Sequence, residues 1–126
     1  MTYLEKWFDY NRLQKEIEAL LEETIAQQSE QRLTLKEFYL LYYLDLADEK
    51  SLRQIDLPDK LYLSPSAVSR MVARLEEKNC GLLSRRCCDQ DRRASFICLT
   101  DEGQTTLAYL QKAVEERLET SLDFIS

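Results

Sequence analysis

The chain has 126 residues, of which 44% are hydrophobic, and this length and composition suit one compact domain. No apolar run approaches membrane-spanning length and no secretion signal is recognisable, so a cytoplasmic location is expected. The sequence contains no histidine, and it shows no nucleophile–base pair and no phosphate-binding glycine loop. Enzyme activity, a metal site and a cofactor are therefore not expected.

Charge is unevenly distributed along the chain. The formal net charge of −6 argues against a nucleic-acid partner, because phosphate repels an acidic surface. From Ser64 to Arg93, however, seven basic residues stand against four acidic ones, which gives +3 there and −9 in the remainder. The sequence therefore allows a local basic site on an otherwise acidic protein.

The N-terminal third of the chain predicts two helices. Apolar residues recur at helical spacing from Tyr3 to about Gln28, with charged residues between them, which predicts a long amphipathic helix. A polar break follows, and Thr34 with Glu37 forms a capping-box pattern. This pattern predicts a second helix that continues to Leu46.

Two shorter helices are expected next. Ser51 is a suitable cap for a third helix reaching Leu61, although Pro58 would bend or loosen its last turn. Ser64 followed by Pro65 is a strong start signal, because serine caps free amides and proline fits the first helical turn. A fourth helix is therefore predicted to run to about Asn79.

A hairpin and a final helix complete the pattern. Residues Leu82–Cys87 and Ser95–Leu99 predict two short strands around a polar turn, Cys88–Arg93. Thr100, with two acidic residues after it, opens a last helix with an apolar stripe. Three short helices, a hairpin and a helix in this order are typical of a winged helix-turn-helix, whose third short helix enters the DNA major groove.

The fourth helix is the candidate DNA reader. Its apolar residues cluster on one side, and short hydroxyl side chains and arginines occupy the other. Small residues let the backbone approach the duplex, and arginine pairs with guanine or phosphate. The expected contacts with base edges and phosphates are made by Ser64, Ser66, Ser69, Arg70 and Arg74. The alternative is an ordinary solvated helix face.

The hairpin supplies a second basic feature. Wing contacts with DNA are expected from Arg85, Arg86, Arg92 and Arg93. A narrow minor groove attracts arginine, and Asp91 would orient a neighbouring guanidinium rather than add affinity. The alternative is a salt-bridged turn that contacts nothing.

Two segments resemble the MarR family of winged helix regulators. The run Leu63–Arg70, followed by Arg74-Leu75-Glu76, is similar to the family's recognition helix. Gly81-Leu82-Leu83, Arg85, Asp91-Arg92-Arg93-Ala94, Leu99-Thr100 and Gly103 are similar to its wing. The resemblance covers roughly residues 33–103 and implies a homodimer whose terminal helices interlock, with Arg92 or Arg93 in the minor groove. The short chain also resembles the compact SarA-like branch.

Three features depart from the family pattern. Asn79 and Cys80 are additional residues before Gly81, which could shift the hairpin. Pro58 stands where the family usually has alanine, and this affects the expected angle between the third and fourth helices. The acidity outside the basic segment is the third departure.

The cysteines and aromatic residues have two interpretations each. The thiols are expected to be reduced, and Cys98 is expected to lie across from Cys87. Two roles stay open for Cys87, Cys88 and Cys98: a redox switch, or packing as small buried hydrophobic side chains.

A small aromatic effector is one candidate partner. Core packing or an effector pocket is expected for Tyr3, Trp7, Phe8, Tyr10, Phe38, Tyr39, Tyr42 and Tyr43.

The sequence as a whole predicts a mainly α, winged helix-turn-helix fold with a two-stranded β-wing. A single domain, 1–126, would contain dimerisation helices at 1–30 and 104–126 and a DNA-binding unit at 33–103. The expected function is repression by a homodimer on a pseudo-palindromic operator. The alternative is an acidic protein-interaction module that modulates another regulator.

Overall fold

The computed structural model describes residues 1–76, 80–88 and 91–122, without the side chains of residues 86–88 and 91–94. These residues form a mainly helical fold with a small antiparallel sheet, which confirms the predicted winged helix architecture. The elements in chain order are α1 (Tyr3–Gln28), α2 (Leu35–Leu46), β1 (Ser51–Arg53), α3 (Leu57–Leu61), α4 (Pro65–Leu75), β2 (Leu83–Cys88), β3 (Asp91–Leu99) and α5 (Asp101–Leu122).

Local capping explains where the two long helices begin. Thr2 and Glu5 form a capping box at the start of α1, and the helix has the predicted bounds. At the start of α5, the Thr100 hydroxyl accepts a hydrogen bond from the Gly103 amide (2.9 Å) and donates one to the Gly81 carbonyl (2.7 Å). Thr100 thereby fixes the start of α5 to the base of the hairpin.

The helix α4 begins as predicted and ends earlier than predicted. The Ser64 hydroxyl accepts a hydrogen bond from the Ala67 amide (3.1 Å), and Pro65 occupies the first turn. The expectation that the helix continues to Asn79 is wrong, because Glu76 is already extended (φ −61°, ψ 162°). The Leu82 amide donates to the Leu75 carbonyl (3.0 Å), so the end of α4 is joined to the hairpin.

The predicted third helix is wrong in its first half. Ser51–Arg53 is a strand that pairs with β3, and a 3-10 turn over Gln54–Asp56 leads into the short α3. Pro58 lies in the first turn of α3, where a missing backbone donor costs little, so it does not loosen the last turn. The sheet consequently has three strands in the order β1-β3-β2, one more than the predicted wing.

The second hairpin strand is longer than predicted, and the first is shifted by one residue. β2 extends to Cys88 and β3 begins at Asp91, so residues 91–93 belong to a strand rather than to the turn. Cys98 lies opposite Ser84 and Ser51, and the expectation that it faces Cys87 is wrong because Cys87 lies opposite Ser95. The register shifts between Cys87 and Cys88, which indicates a bulge near the tip of the hairpin.

The chain divides into two compact units. One comprises Met1–Leu35 and Leu110–Ser126, and the other comprises Lys36–Tyr109. The second unit has its own apolar core, built from fully buried side chains of α2, α3, α4 and the sheet, among them Leu41, Leu61, Val72 and Ile97. No described helix has the length and apolar character needed to cross a membrane.

Gly103 allows a close approach at the edge of this core. A Cβ atom on Gly103 would lie 2.4 Å from the Leu82 carbonyl oxygen and 2.6 Å from a methyl group of Leu99. Any side chain there would therefore push α5 away from the base of the hairpin. The glycine that belongs to the predicted wing pattern has a packing role.

Candidate nucleic-acid interface

The two faces of α4 have opposite character. Val68, Val72 and Leu75 are buried in the core, with at most 1% of each residue exposed. The opposite face is solvent-exposed and carries all the predicted reader residues: Ser64, Ser66, Ser69, Arg70 and Arg74. Hydrophobic burial on one side therefore presents a face of hydroxyl groups and guanidinium groups on the other.

The two arginines of this face differ in their surroundings. Nη1 of Arg74 lies 2.5 Å from Oε2 of Glu37 in α2, and only 4% of the Glu37 side chain is exposed. A buried carboxylate needs a charged or hydrogen-bonding partner, so Arg74 helps to hold α4 against α2. In the part of the chain that the structure describes, Arg70 forms no salt bridge and is exposed.

Arg85 lies between α4 and the strand region. Its Nε donates to a carboxylate oxygen of Glu76, and its Nη1 donates to Oε1 of Gln54 at 2.7 Å. The Gln54 amide nitrogen in turn donates to Oγ of Ser69 at 3.2 Å. Arg85 therefore connects the end of α4, strand β2 and the 3-10 turn, in addition to any contact with DNA.

Three residues of this region are not predicted from the sequence: Glu37, Gln54 and Glu76. Glu37 belongs to the predicted capping box, Glu76 to the predicted longer α4, and Gln54 to the first half of the predicted third helix, where the structure has a 3-10 turn. The sequence does carry a signal for Glu37, because it is a charged residue at the start of the apolar run of α2. No local sequence signal places Gln54 beside Ser69, because the two residues meet only through tertiary packing.

For the wing residues other than Arg85, the structure describes the position of the backbone and not of the side chains. Arg86 pairs with Phe96, and Asp91 begins β3 opposite Cys88. Residues 92–94 fall between the partners of two consecutive β2 residues, so the two predicted wing arginines, Arg92 and Arg93, lie in the irregular part of the hairpin. The side chains of Arg86, Asp91, Arg92 and Arg93 lie outside the described residues, so their contacts with DNA stay predictions.

Cys80 and Cys98 are the cysteines whose side chains the structure describes, and both are free thiols. Cys98 is 4% exposed within the apolar sheet, and Cys80 is half-buried. Among the described residues there is no group of three or more cysteine and acidic side chains able to hold a metal ion. Burial supports a packing role for Cys98, while the side chains of Cys87 and Cys88 lie outside the described residues.

A cleft of about 380 Å³ adjoins the N-terminal half of α4. Its lining comes from β1, the 3-10 turn, α3, α4 and β3: Arg53, Gln54, Ile55, Pro58, Pro65, Val68, Ser69 and Ser95. None of the aromatic residues considered for an effector pocket belongs to this lining. Phe38 is buried and Tyr39 and Tyr43 are half-buried, as in ordinary core packing.

Sequence comparison matches the chain to one family model and to transcriptional regulators of Bacillus subtilis. The sequence model of the MarR family matches residues 33–95. The chain is 36% identical over 98 residues to the uncharacterized HTH-type transcriptional regulator YdgJ of Bacillus subtilis, covering 78% of this chain and 54% of that protein. It is 32% identical over 91 residues to the HTH-type transcriptional repressor MdtR of the same organism, covering 72% of this chain and 56% of the relative. The chain spans about half the length of both.

Solved structures share the fold. Sco3205, a MarR family transcriptional regulator from Streptomyces coelicolor crystallised in complex with DNA, superimposes with a TM-score of 0.85 at 24% identity, covering 100% of this chain and 80% of that one. AbsC from the same organism gives a TM-score of 0.85 at 23% identity, covering 100% and 83%. At these identities the likeness establishes the fold alone.

The Arg74–Glu37 contact predicts unequal effects of two similar substitutions on stability. Arg74→Ala removes the guanidinium beside a buried carboxylate, and the free energy of unfolding should fall by about 1–3 kcal/mol, allowing for solvent screening of the half-exposed arginine. Urea denaturation followed by circular dichroism at one fixed protein concentration measures the change.

The matched control is Arg70→Ala on the same exposed face. This substitution should change the free energy of unfolding by no more than about 0.5 kcal/mol, as is usual at exposed positions. Equal destabilisation by the two substitutions would contradict the structural role assigned to Arg74.

Proposed function

The chain belongs to the MarR family, and from this premise we propose that it is a homodimeric transcriptional repressor that binds double-stranded DNA. The observation that carries the proposal is the exposed face of α4, where three serines and Arg70 stand opposite the buried apolar stripe. In a winged helix this element enters the major groove. Short side chains near its start allow the backbone to approach the base edges closely.

The DNA contact that we propose for each side chain depends on whether that side chain already binds a carboxylate of the protein. We assign base-edge or phosphate contacts to Ser64, Ser66, Ser69 and Arg70. Because Arg74 and Arg85 each bind a carboxylate of the protein, we assign them to phosphate contacts that their remaining N–H groups make at the rim of the interface.

The hairpin extends the proposed interface to the adjacent minor groove. Arg86, Arg92 and Arg93 would approach the narrow groove, where the negative potential is strongest, and Asp91 would orient one guanidinium. The family resemblance of the run Asp91-Arg92-Arg93-Ala94 supports this assignment. Arg92 and Arg93 lie beside the register shift between Cys87 and Cys88, where the hairpin departs from regular pairing.

The relatives support the direction of regulation. One relative is named a transcriptional repressor, and a structure with the same fold was determined in complex with DNA. A repressor of this kind blocks polymerase sterically when it occupies its operator. The alternative of an acidic protein-interaction module receives no support from these comparisons.

The proposed dimer accounts for apolar surface on α1. Its N-terminal turns expose large apolar side chains, with 64% of Leu4, 56% of Trp7 and 60% of Phe8 accessible to solvent. A contiguous exposed apolar face of this kind is typical of an interaction surface. We propose that residues 1–30 and 104–126 form the dimer interface and that residues 33–103 of each subunit bind one half-site. Half-sites about 34 Å apart would suit such a dimer.

DNA binding is tested by selection from a random duplex pool followed by gel-shift titration of the selected duplex. Arg70→Ala should weaken binding about tenfold and relax base preference at one position in each half-site, because one good arginine–base pair contributes roughly 1–3 kcal/mol. Arg93→Ala should weaken binding and reduce its salt dependence.

Arg32→Asn is the matched control, since Arg32 is exposed and lies between the proposed dimer helix and the proposed DNA-binding unit, and asparagine tolerates its positive φ of 51°. It should leave the affinity within about twofold of the unmodified protein. Unchanged binding by Arg70→Ala would contradict the role of α4, and unchanged binding by Arg93→Ala would remove the wing assignment alone.

The dimer is tested by placing a charge on the apolar face of α1. Trp7→Glu should convert the dimer to a monomer in sedimentation equilibrium, because an unpaired carboxylate is costly to bury in an apolar interface. Tyr62→Glu adds the same charge at another exposed aromatic residue, 86% accessible, and should remain dimeric. A dimeric Trp7→Glu variant would contradict the proposed interface.

A further inference from the structure

Four side chains form a continuous chain of hydrogen bonds across the proposed DNA-binding unit. Glu76 at the end of α4 accepts from Nε of Arg85, and Arg85 donates from Nη1 to Oε1 of Gln54 at 2.7 Å. Gln54 then donates from Nε2 to Oγ of Ser69 at 3.2 Å. The chain of contacts therefore ends on a hydroxyl group of the exposed face of α4.

The direction of every bond in this chain follows from chemistry. A carboxylate only accepts hydrogen bonds, and a guanidinium only donates them. Because Arg85 can only donate, the amide of Gln54 must turn its oxygen toward Arg85 and its NH₂ group toward Ser69. Ser69 is consequently the acceptor, and its hydroxyl proton points away from Gln54.

That proton has no acceptor within the described part of the protein: Gln54 is the hydrogen-bond partner that the described residues give to Ser69, and it occupies one lone pair. Ser69 is exposed, so the proton faces whatever approaches α4. A preset donor favours acceptor atoms of the duplex, which are purine N7, guanine O6, thymine O4 and phosphate oxygens, over exocyclic amino groups.

We propose that Gln54 is a positioning residue that presets Ser69 as a hydrogen-bond donor toward an acceptor atom of DNA. The proposal rests on the proposed DNA-binding function and adds a specificity determinant to it. Gln54 need not touch the duplex itself, since it acts by occupying a lone pair of Ser69. Arg85 and Glu76 act one step earlier, because they fix which way the Gln54 amide faces.

The substitution Gln54→Glu reverses the last bond of the chain. The new carboxylate still accepts from Arg85, but it now presents an oxygen to Ser69 in place of an amino group. Ser69 would then donate its proton to residue 54 and lose it as a donor to DNA. Gln54→Ala, in contrast, leaves the hydroxyl free to rotate and should weaken binding less than Gln54→Glu does.

The experiment is a double-mutant cycle on the selected duplex. Ser69→Ala should weaken binding about three- to tenfold, the range expected for one hydrogen bond, and Gln54→Glu should weaken it at least as much. In the Ser69→Ala background, Gln54→Glu should cost no more than the added charge alone. Gln31→Glu, in the turn before α2 and outside both the dimer helices and the DNA-binding unit, measures the effect of one added charge.

Base preference gives a second readout that a merely structural role would not change. Repeating the selection with Gln54→Glu should alter preference only at the position that Ser69→Ala also alters, toward bases that present an amino group, if the acceptor is a base. A uniform loss across sequences, with the same non-additivity, identifies a phosphate oxygen as the acceptor.

The outcomes separate this proposal from the proposed function. Additive effects of Gln54→Glu and Ser69→Ala, within about twofold, would overturn the positioning role while DNA binding stands. The free energy of unfolding is measured for every variant. Where it equals that of the unmodified protein, weaker binding does not result from loss of structure. Failure of the unmodified protein to enrich any duplex would instead overturn the proposed function.

Discussion

The structure depends above all on the way the end of α4 is joined to the hairpin. Burial of Val68, Val72 and Leu75 sets which face of α4 meets solvent. The Leu82 amide bonds to the Leu75 carbonyl, and the Gly81 amide bonds to the Glu76 carbonyl, both at 3.0 Å. Burial of the apolar side therefore keeps the serines and Arg70 on the surface. The two hydrogen bonds hold the start of the wing against the end of the same helix.

Some charged side chains around α4 form ion pairs within the protein, and others are exposed to solvent without an ion pair in the described structure. Glu37 is nearly inaccessible to water and needs the Arg74 guanidinium, because an unpaired buried carboxylate is strongly unfavourable. Glu76 and Arg85 form a second ion pair of this kind, in which the carboxylate is more exposed than that of Glu37. A positive local balance in the sequence therefore overstates the charge available to DNA, and Arg70 is the described reader arginine without such a partner in the structure.

Signals that act within a few residues predicted much of this fold. The capping by Ser64 and Thr100 and the long α1 follow from local hydrogen bonding and apolar periodicity, and they occur where the sequence indicates. The amphipathic pattern of α4 also predicted which of its residues are exposed. These features need no knowledge of the rest of the chain.

Features that depend on distant residues were not predictable in this way. β1 has three residues and exists because β3 pairs with it, so no local pattern distinguishes Ser51–Arg53 from the start of the predicted third helix. The early end of α4 results from bonds to the hairpin, which helical periodicity does not reveal. Gln54 and Glu37 became part of the candidate site through contacts across 15 and 37 residues of sequence.

Methylation protection with dimethyl sulfate tests whether α4 docks in the major groove and the wing in the minor groove, because the reagent modifies guanine N7 in the major groove and adenine N3 in the minor groove. On the selected duplex, we expect two blocks of protected guanine N7 about one helical turn apart, one for α4 of each subunit, with protected adenine N3 beside each block where the wings bind. A fully bound duplex whose guanine N7 atoms all remain reactive would contradict the docking of α4 in the major groove.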